Sequence, residues 1–405
     1  MPSHFPLGKL ARAIGVLSLA GVLAIALILA ATWLEHRNPL DLPKPKGRFA
    51  VGRTTLHWTE TGRADEFAPV SGTPRELMVW VWYPAAPGGG TPAEYLPRAW
   101  REALARVGGV LMSDFLTRDL SQVRVHSREG AVLAPSQAPY PVVILRAGLA
   151  AQVTGYTVLA EDLASRGYVV VGPDAAYRTT VVVLPDGRVL LRPAQYNLDL
   201  MPESGREAFA SQLLSMWTAD LRFVVDKLTE LNAAPSGRFA GHLDLQRLGV
   251  FGHSLGGATA AVFCHEDPRC KAGIDLDGAL HGPEISDGLR QPFMFVLEDH
   301  HRKVSSADAE VLARIQSLYA QLPADSRLKI SLAGANHFSF SDQMLVKSPL
   351  LLGIMRRVGV VGLDGARGLE ITADYVAGFF DVHLKNREPA ALAALASRYP
   401  EVRVE

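Results

Sequence analysis

The stretch LGVFGHSLGGATAAVFC, residues 248–264, most constrains what this chain can fold into. An apolar run ends at Gly252, a serine stands at position 254, and Gly256 and Gly257 open an Ala-rich helical pattern. Glycines at these places lack the Cβ atoms that would collide in a sharp strand-to-helix turn. The turning residue is then held in strained backbone geometry, with its side chain above the sheet. Ser254 is therefore the expected nucleophile. Its hydroxyl lies at a helix N-terminus, where backbone N–H groups and the helix dipole favour developing negative charge. A glycine-rich turn with a serine helix cap is the plain alternative. The strand pattern before the serine and the helix pattern after it favour the nucleophile.

The chain around this turn alternates strands and helices. YPVVILRAGLA (140–150) is a continuous apolar run, as a strand buried on both faces requires. RFAVGRTTLHWTE and ELMVWVWYPAA alternate apolar and polar residues, as half-exposed antiparallel strands do. Residues 156–174 read as helix then strand, and Asp186-Gly187 is the expected turn of a hairpin. An inserted helix is expected over 100–116 and a long one over 203–231. KAGIDLDGAL, PFMFVLED and RLKISLAGANH read as three further strands, with helices over 306–322 and 371–386. Such alternation implies a mainly parallel sheet with helices on both faces, its active site at the carboxyl ends of the strands.

A serine hydroxyl needs a base to take its proton. His337 is the best candidate, because it follows the last strand in a loop of small residues. His383 falls inside a helix pattern, and His253 is expected to pack against the sheet. Three acids are open. Asp277 ends its strand, Asp275 lies two residues earlier on the same face, and Asp299 follows the next strand in a polar loop. An oxyanion hole needs two backbone donors. Leu255 N–H, just after the nucleophile, is one. The turn after the first central strand supplies the other at Gly148 or Leu149, and Leu149 is preferred.

FGHSLGGATA, CKAGIDLDGAL and GANHFSFSD resemble the plasma-type platelet-activating factor acetylhydrolase family, within the α/β-hydrolases. In that family a GHSxGG serine is followed 23 residues later by the acid, the spacing here from Ser254 to Asp277. The likeness runs through residues 140–384. It implies an α/β-hydrolase fold and a Ser254, Asp277, His337 triad, with Asp299 as the alternative acid. It also implies calcium-independent hydrolysis of short or oxidised acyl chains from phospholipids or simpler esters, without metal or cofactor. One departure is that the family's His-Gly after the first central strand is Ala147-Gly148 here. The backbone donor survives that change, while the polarity of the acyl pocket does not transfer.

Residues 13–33 form a run of 21 without a charge, about 32 Å long as a helix, near the thickness of a bilayer core. Lys9 and Arg12 precede it. The apolar core is longer than the ~7–15 residues of a cleaved signal peptide, and no clear A-x-A site follows. An uncleaved signal anchor over 1–37 is expected, single-pass, with the N-terminus in the cytoplasm and the catalytic domain periplasmic or extracellular. Secretion after cleavage is the alternative. Residues 38–47 read as a proline-rich stalk and 48–405 as the catalytic domain. Cys264 and Cys270 are the only cysteines. They are either unrelated buried thiols or a short disulfide, which would suit an oxidising compartment. Residues 348–363, an apolar stretch after His337, are expected to pack on the core, with a lid or membrane-touching flap as the alternative.

Zero net charge and no basic block leave nucleic-acid binding without an electrostatic footprint. The expected function is a serine carboxylic-ester hydrolase acting on a small-molecule or lipid ester. A serine peptidase on the same fold is the enzymatic rival, and a catalytically inactive anchored binding module is the rival from another class.

Overall fold

A computed structural model describes residues 7–109, 116–196, 201–280, 285, 288–299, 306–359 and 361–405. In chain order the strands are β1 (Leu40–Asp41), β2 (Ala50–Ala64), β3 (Pro74–Ala85), β4 (Thr91–Glu94), β5 (Val123–Glu129), β6 (Tyr140–Arg146), β7 (Val169–Ala175), β8 (Val181–Val183), β9 (Val189–Leu191), β10 (Leu243–His253), β11 (Cys270–Leu276), β12 (Phe293–Leu297), β13 (Arg327–Leu332) and β14 (Val402–Val404). The main helices are α1 (Leu7–Arg37), α2 (Arg98–Val107), α3 (Thr157–Ser165), α4 (Glu203–Ala233), α5 (Leu255–Glu266), α6 (Ser306–Gln321), α7 (Gln343–Val346), α8 (Pro349–Arg357) and α9 (Gly365–Lys385).

One twelve-stranded sheet runs β1-β5-β2-β3-β7-β6-β10-β11-β12-β13-β14, with β4 paired to β5. From β7 to β13 every pairing is parallel. Antiparallel pairs join β2 to β3, β3 to β7 and β13 to β14. This is the mainly parallel sheet expected from the alternation of elements, and it agrees with the α/β-hydrolase fold that the resemblance implies. Strand β14 was not foreseen from its short C-terminal sequence. Strands β8 and β9 form the expected hairpin, with Gly187 at φ +85 in its turn.

The two sides of the sheet follow from the period-two alternation of side chains. Val143 and Leu145 of β6 enter one core with α3 and α9. Val142 and Ile144 of the same strand enter the other, with α4, α5 and α6. Every residue of β6 and β7 is buried, which explains their near-continuous apolar sequences. Each large apolar side chain so buried contributes about 1.5–3 kcal/mol. Helix α2 is shorter than expected. It ends before Gly108 and Gly109, the latter at φ +58, because glycine disfavours helix and readily takes the left-handed turn. Residues 110–115 of the expected helix lie outside the described residues.

Helix α1 carries a 27-residue stretch, Ala11–Arg37, long and apolar enough to cross a membrane, and none of its apolar window is buried. Its last turn joins the domain: His36 Nδ1 lies 2.7 Å from the Thr117 carbonyl, and Asp119 N–H donates to the His36 carbonyl. The proline-rich stretch is extended, as expected, but it is held along its length. Strand β1 pairs with β5, Leu42 is buried, Lys46 N–H donates to Asp162, and Gly47 N–H donates to Ser165 Oγ.

Candidate active site

Four loops at the carboxyl ends of parallel strands converge. They follow β6, β10, β11 and β13, and they carry Leu149, Ser254, Asp277 and His337.

Ser254 turns the chain between β10 and α5 with φ 57 and ψ −129, a conformation costly for any residue with a side chain. Its surroundings over-determine it. Ser254 N–H donates to the Leu276 carbonyl, and its own carbonyl receives Gly257 N–H and Ala258 N–H. The flanking glycines are required by close approach. A Cβ on Gly252 would fall 2.2 Å from the Gly256 backbone, and one on Gly256 would fall 2.2 Å from the Arg146 carbonyl.

Asp277 leaves β11 at φ +54, so the strand alternation ends at Leu276. The shared face expected for Asp275 and Asp277 is broken at that point. Asp277 Oδ2 lies 2.6 Å from His337 Nδ1, and its Oδ1 accepts Glu298 N–H at 2.9 Å. Burial opposes ionisation of Asp277, but the hydrogen bond and charge of His337 outweigh it and hold the carboxyl below its usual range. Burial likewise opposes protonation of His337, yet the hydrogen bond and charge of Asp277 raise its pKa above 6.5. A 3₁₀ turn over His337–Phe340 presents the imidazole, and Asn336 caps it by accepting Phe338 N–H.

The other two acids have different surroundings. Asp275 is fully buried, and its Oδ1 accepts Gly278 N–H at 2.7 Å. Burial pushes its pKa up to about 8, so it is largely a neutral acid at pH 7. Asp299 Oδ2 accepts Gly334 N–H at 2.8 Å, and its Oδ1 lies 3.5 Å from Arg403 Nη1. It thus braces the loop leading to His337.

Leu255 is the first residue of α5, where a helix N–H has no partner within the helix. Leu149 lies in the turn after β6. The side chains of Leu149 and Leu255 share an apolar cluster with Phe209, Leu213 and Trp217. Arg146, which precedes the Ala147-Gly148 departure, is buried with its guanidinium 3.6 Å from the Trp217 ring centre and donates to the Pro173 carbonyl.

His253 is buried, as expected, but it lies within the site rather than merely against the sheet. Its ring centre is 4.6 Å from that of His337. Its Nδ1 meets Tyr156 Oη at 2.8 Å. Tyr156 was missed in the sequence, where a tyrosine beginning a helix carries no distinguishing signal. His383 packs against Phe379 within α9, ring centres 4.5 Å apart and tilted, as a structural histidine does. Cys264 and Cys270 are joined as a disulfide, with Cα atoms 5.0 Å apart. The stretch after His337 follows the packed reading only at its ends, where Ser348, Val361 and Leu363 are buried; helix α8 between them departs from it. No residue of α8 is buried, and Leu350, Ile354 and Phe338 are exposed. Residue 360 lies outside the described residues.

The family model described as platelet-activating factor acetylhydrolase, isoform II, matches residues 37–182 and 226–390. A protein of Arthroderma benhamiae described as a probable 1-alkyl-2-acetylglycerophosphocholine esterase is 28% identical over 172 residues, covering 38% of this chain and 42% of that one. The platelet-activating factor acetylhydrolase of Cavia porcellus is 29% identical over 104 residues, covering 25% of this chain and 22% of that one. The chain thus matches less than half the length of these relatives. A solved ferulic acid esterase from Streptomyces cinnamoneus superimposes with a TM-score of 0.73 at 29% identity, covering 90% of this chain and 99% of that structure.

Proposed function

The chain belongs to the platelet-activating factor acetylhydrolase, isoform II, family, and on that premise we propose that it is a carboxylic-ester hydrolase working through Ser254, His337 and Asp277. The observation that carries this reading is the 2.6 Å contact of His337 Nδ1 with Asp277, taken together with a serine in a strained strand-to-helix turn. The esterase fold of its structural relative supports it as well.

In this reading Ser254 Oγ attacks the ester carbonyl carbon as His337 Nε2 takes the hydroxyl proton. The carbonyl oxygen becomes an oxyanion held by Leu149 N–H and Leu255 N–H. The intermediate collapses, the alcohol leaves with the proton from His337, and Ser254 keeps the acyl group. Water then attacks the acyl carbon, giving its proton to His337, and the acid is released as Ser254 recovers its proton. Asp277 keeps the Nδ1–H tautomer and stabilises the imidazolium throughout.

The substrate is an ester with a short acyl chain, the alcohol part lipid-like or small. Cleavage of p-nitrophenyl acetate or butyrate should far exceed that of a palmitate ester. Equal or greater activity on palmitate would sink the short-acyl reading. Helix α1 is read as an uncleaved anchor, with the catalytic domain outside the cytoplasm and the Cys264–Cys270 disulfide suited to that compartment. Mature protein with a new N-terminus near Thr32 would replace the anchor with a cleaved signal.

The deciding experiment is labelling with a fluorophosphonate probe. Ser254 should label in the wild type, and Ser254→Ala should neither label nor hydrolyse esters. An unlabelled wild type would favour an anchored binding module. Labelling together with cleavage of peptides but not esters would favour a serine peptidase.

A further inference from the structure

Two buried side chains outside the proposed triad join its histidine loop to its oxyanion turn. His253 Nε2 lies 2.7 Å from the backbone carbonyl of His337. A carbonyl only accepts, so Nε2 carries the proton and Nδ1 is an acceptor. Tyr156 Oη, 2.8 Å away, must therefore donate its proton to Nδ1. The Tyr156 oxygen is then left to accept Gly148 N–H, at 3.4 Å. The bonds run in one direction only: Gly148 N–H to Tyr156, Tyr156 O–H to His253, and His253 Nε2–H to the His337 carbonyl. No alternative arrangement of protons satisfies both ends.

The relay is enclosed. Tyr156 is 1% exposed and His253 4%. Burial pushes the His253 pKa down to about 3, so the ring stays neutral wherever an esterase of this kind would work. Phe340, in the 3₁₀ turn of His337, packs 6.0 Å from the His253 ring centre. At the other end the turn has little room to shift. A Cβ on Gly148 would fall 3.2 Å from Ser254 Cβ and 3.5 Å from His253 Nδ1. The two ends of the relay are the segments whose separation matters for ester cleavage: the turn bearing the Leu149 N–H and the backbone bearing the general base.

We infer that Tyr156 and His253 are positioning residues, whose hydrogen-bond relay holds the Gly148–Leu149 oxyanion turn at a set distance from the His337 loop. The inference rests on the proposed triad, and neither side chain is asked to touch the reacting atoms. Buried polar chains of this kind act as a unit. Fully satisfied they rigidify a site, and broken they leave unpaired donors. Loss of the relay should therefore misplace the oxyanion donor in the transition state more than it weakens substrate binding, since about 1 Å of misplacement costs about 10²-fold in rate.

The test is Tyr156→Phe, which removes one oxygen and little volume, measured with p-nitrophenyl butyrate. The expected result is a kcat lowered about 10²-fold with KM nearly unchanged. The rate is taken per competent site, counted by fluorophosphonate titration run to completion. His253→Gln keeps a donor for the His337 carbonyl and should retain more kcat than His253→Phe. The double variant Tyr156→Phe/His253→Phe should be scarcely slower than His253→Phe alone, because one relay is broken once. A kcat for Tyr156→Phe close to the wild type would overturn the inference, as would a loss confined to KM, or fully additive losses. A wild type that does not depend on Ser254 would instead overturn the triad reading.

Discussion

The carboxyl of Asp275 occupies the space that a side chain on Gly257 would need: a Cβ there would fall 1.9 Å from Asp275 Oδ1. The acid thus lies directly beneath the turn of Ser254, bonded to Gly278 and sealed from water. Burial raises its pKa to about 8, from 3.8 when the chain is unfolded. Between those values the folded chain keeps a proton that the unfolded chain has lost. Stability therefore falls as pH rises from about 4 to about 8. Asp275→Asn cannot ionise, and its side-chain oxygen can still accept Gly278 N–H. In urea unfolding at pH 5, 6, 7 and 8, the stability of the variant relative to wild type should rise steadily with pH. A difference that stays flat would show that Asp275 is ionised in the folded chain.

Asp277 and His337 should be visible in the pH dependence of kcat/KM. In its proposed role as base His337 works only when neutral, so activity should rise as pH climbs through its pKa. Burial opposes the cation and the Asp277 carboxylate favours it more strongly, which places that pKa above 6.5. Asp277→Asn removes the charge and should move the acid limb to lower pH. It should also lower kcat about 10⁴-fold, because Asn favours the wrong imidazole tautomer. The fold should persist, as read by circular dichroism. An unmoved acid limb would remove His337 from the role of base.

Asp299 is a candidate acid that the proposed function leaves outside the triad. Its carboxylate holds Gly334 N–H and faces Arg403, which brings the C-terminal strand to the loop ahead of His337. Asp299→Asn keeps an acceptor for Gly334 and should retain most of kcat, at a cost of no more than about 1 kcal/mol of stability. A loss of kcat approaching that of Asp277→Asn would move the acid to the later strand.

The residues between α1 and β2 should matter for stability in proportion to how they are held. A chain truncated to begin at Glu35 keeps the buried Leu42, the β1 pairing, and the Lys46 and Gly47 hydrogen bonds. One beginning at Phe49 loses them all. Both lack the apolar helix and should be released from membranes. The shorter chain should be less stable by at least about 2 kcal/mol, the burial of one leucine alone. Equal urea midpoints would mean that the stretch is a passive tether.

The sequence by itself determined the fold class and the position of the serine. Strand–turn–helix punctuation is a local matter: glycines at 252 and 256 are needed wherever backbone approaches backbone, and the near-continuous apolar runs of β6 and β7 have only a buried place to go. The 21-residue uncharged run likewise reads as one helix from its composition. What lay beyond reach was every relationship set by which atoms meet across the sheet. Asp275, Asp277 and Asp299 are alike in sequence, each near a strand end. Tertiary structure decided among their surroundings: one is sealed under a turn, one meets an imidazole, and one braces a loop. The left-handed backbone of Asp277, which breaks the alternation, had no local signal. Nor did Tyr156 and His253, whose pairing spans 97 residues and follows from β6 lying beside β10. A side chain's polarity can be read from its letter, but its partner depends on strand order, and strand order is a property of the whole chain packed at once.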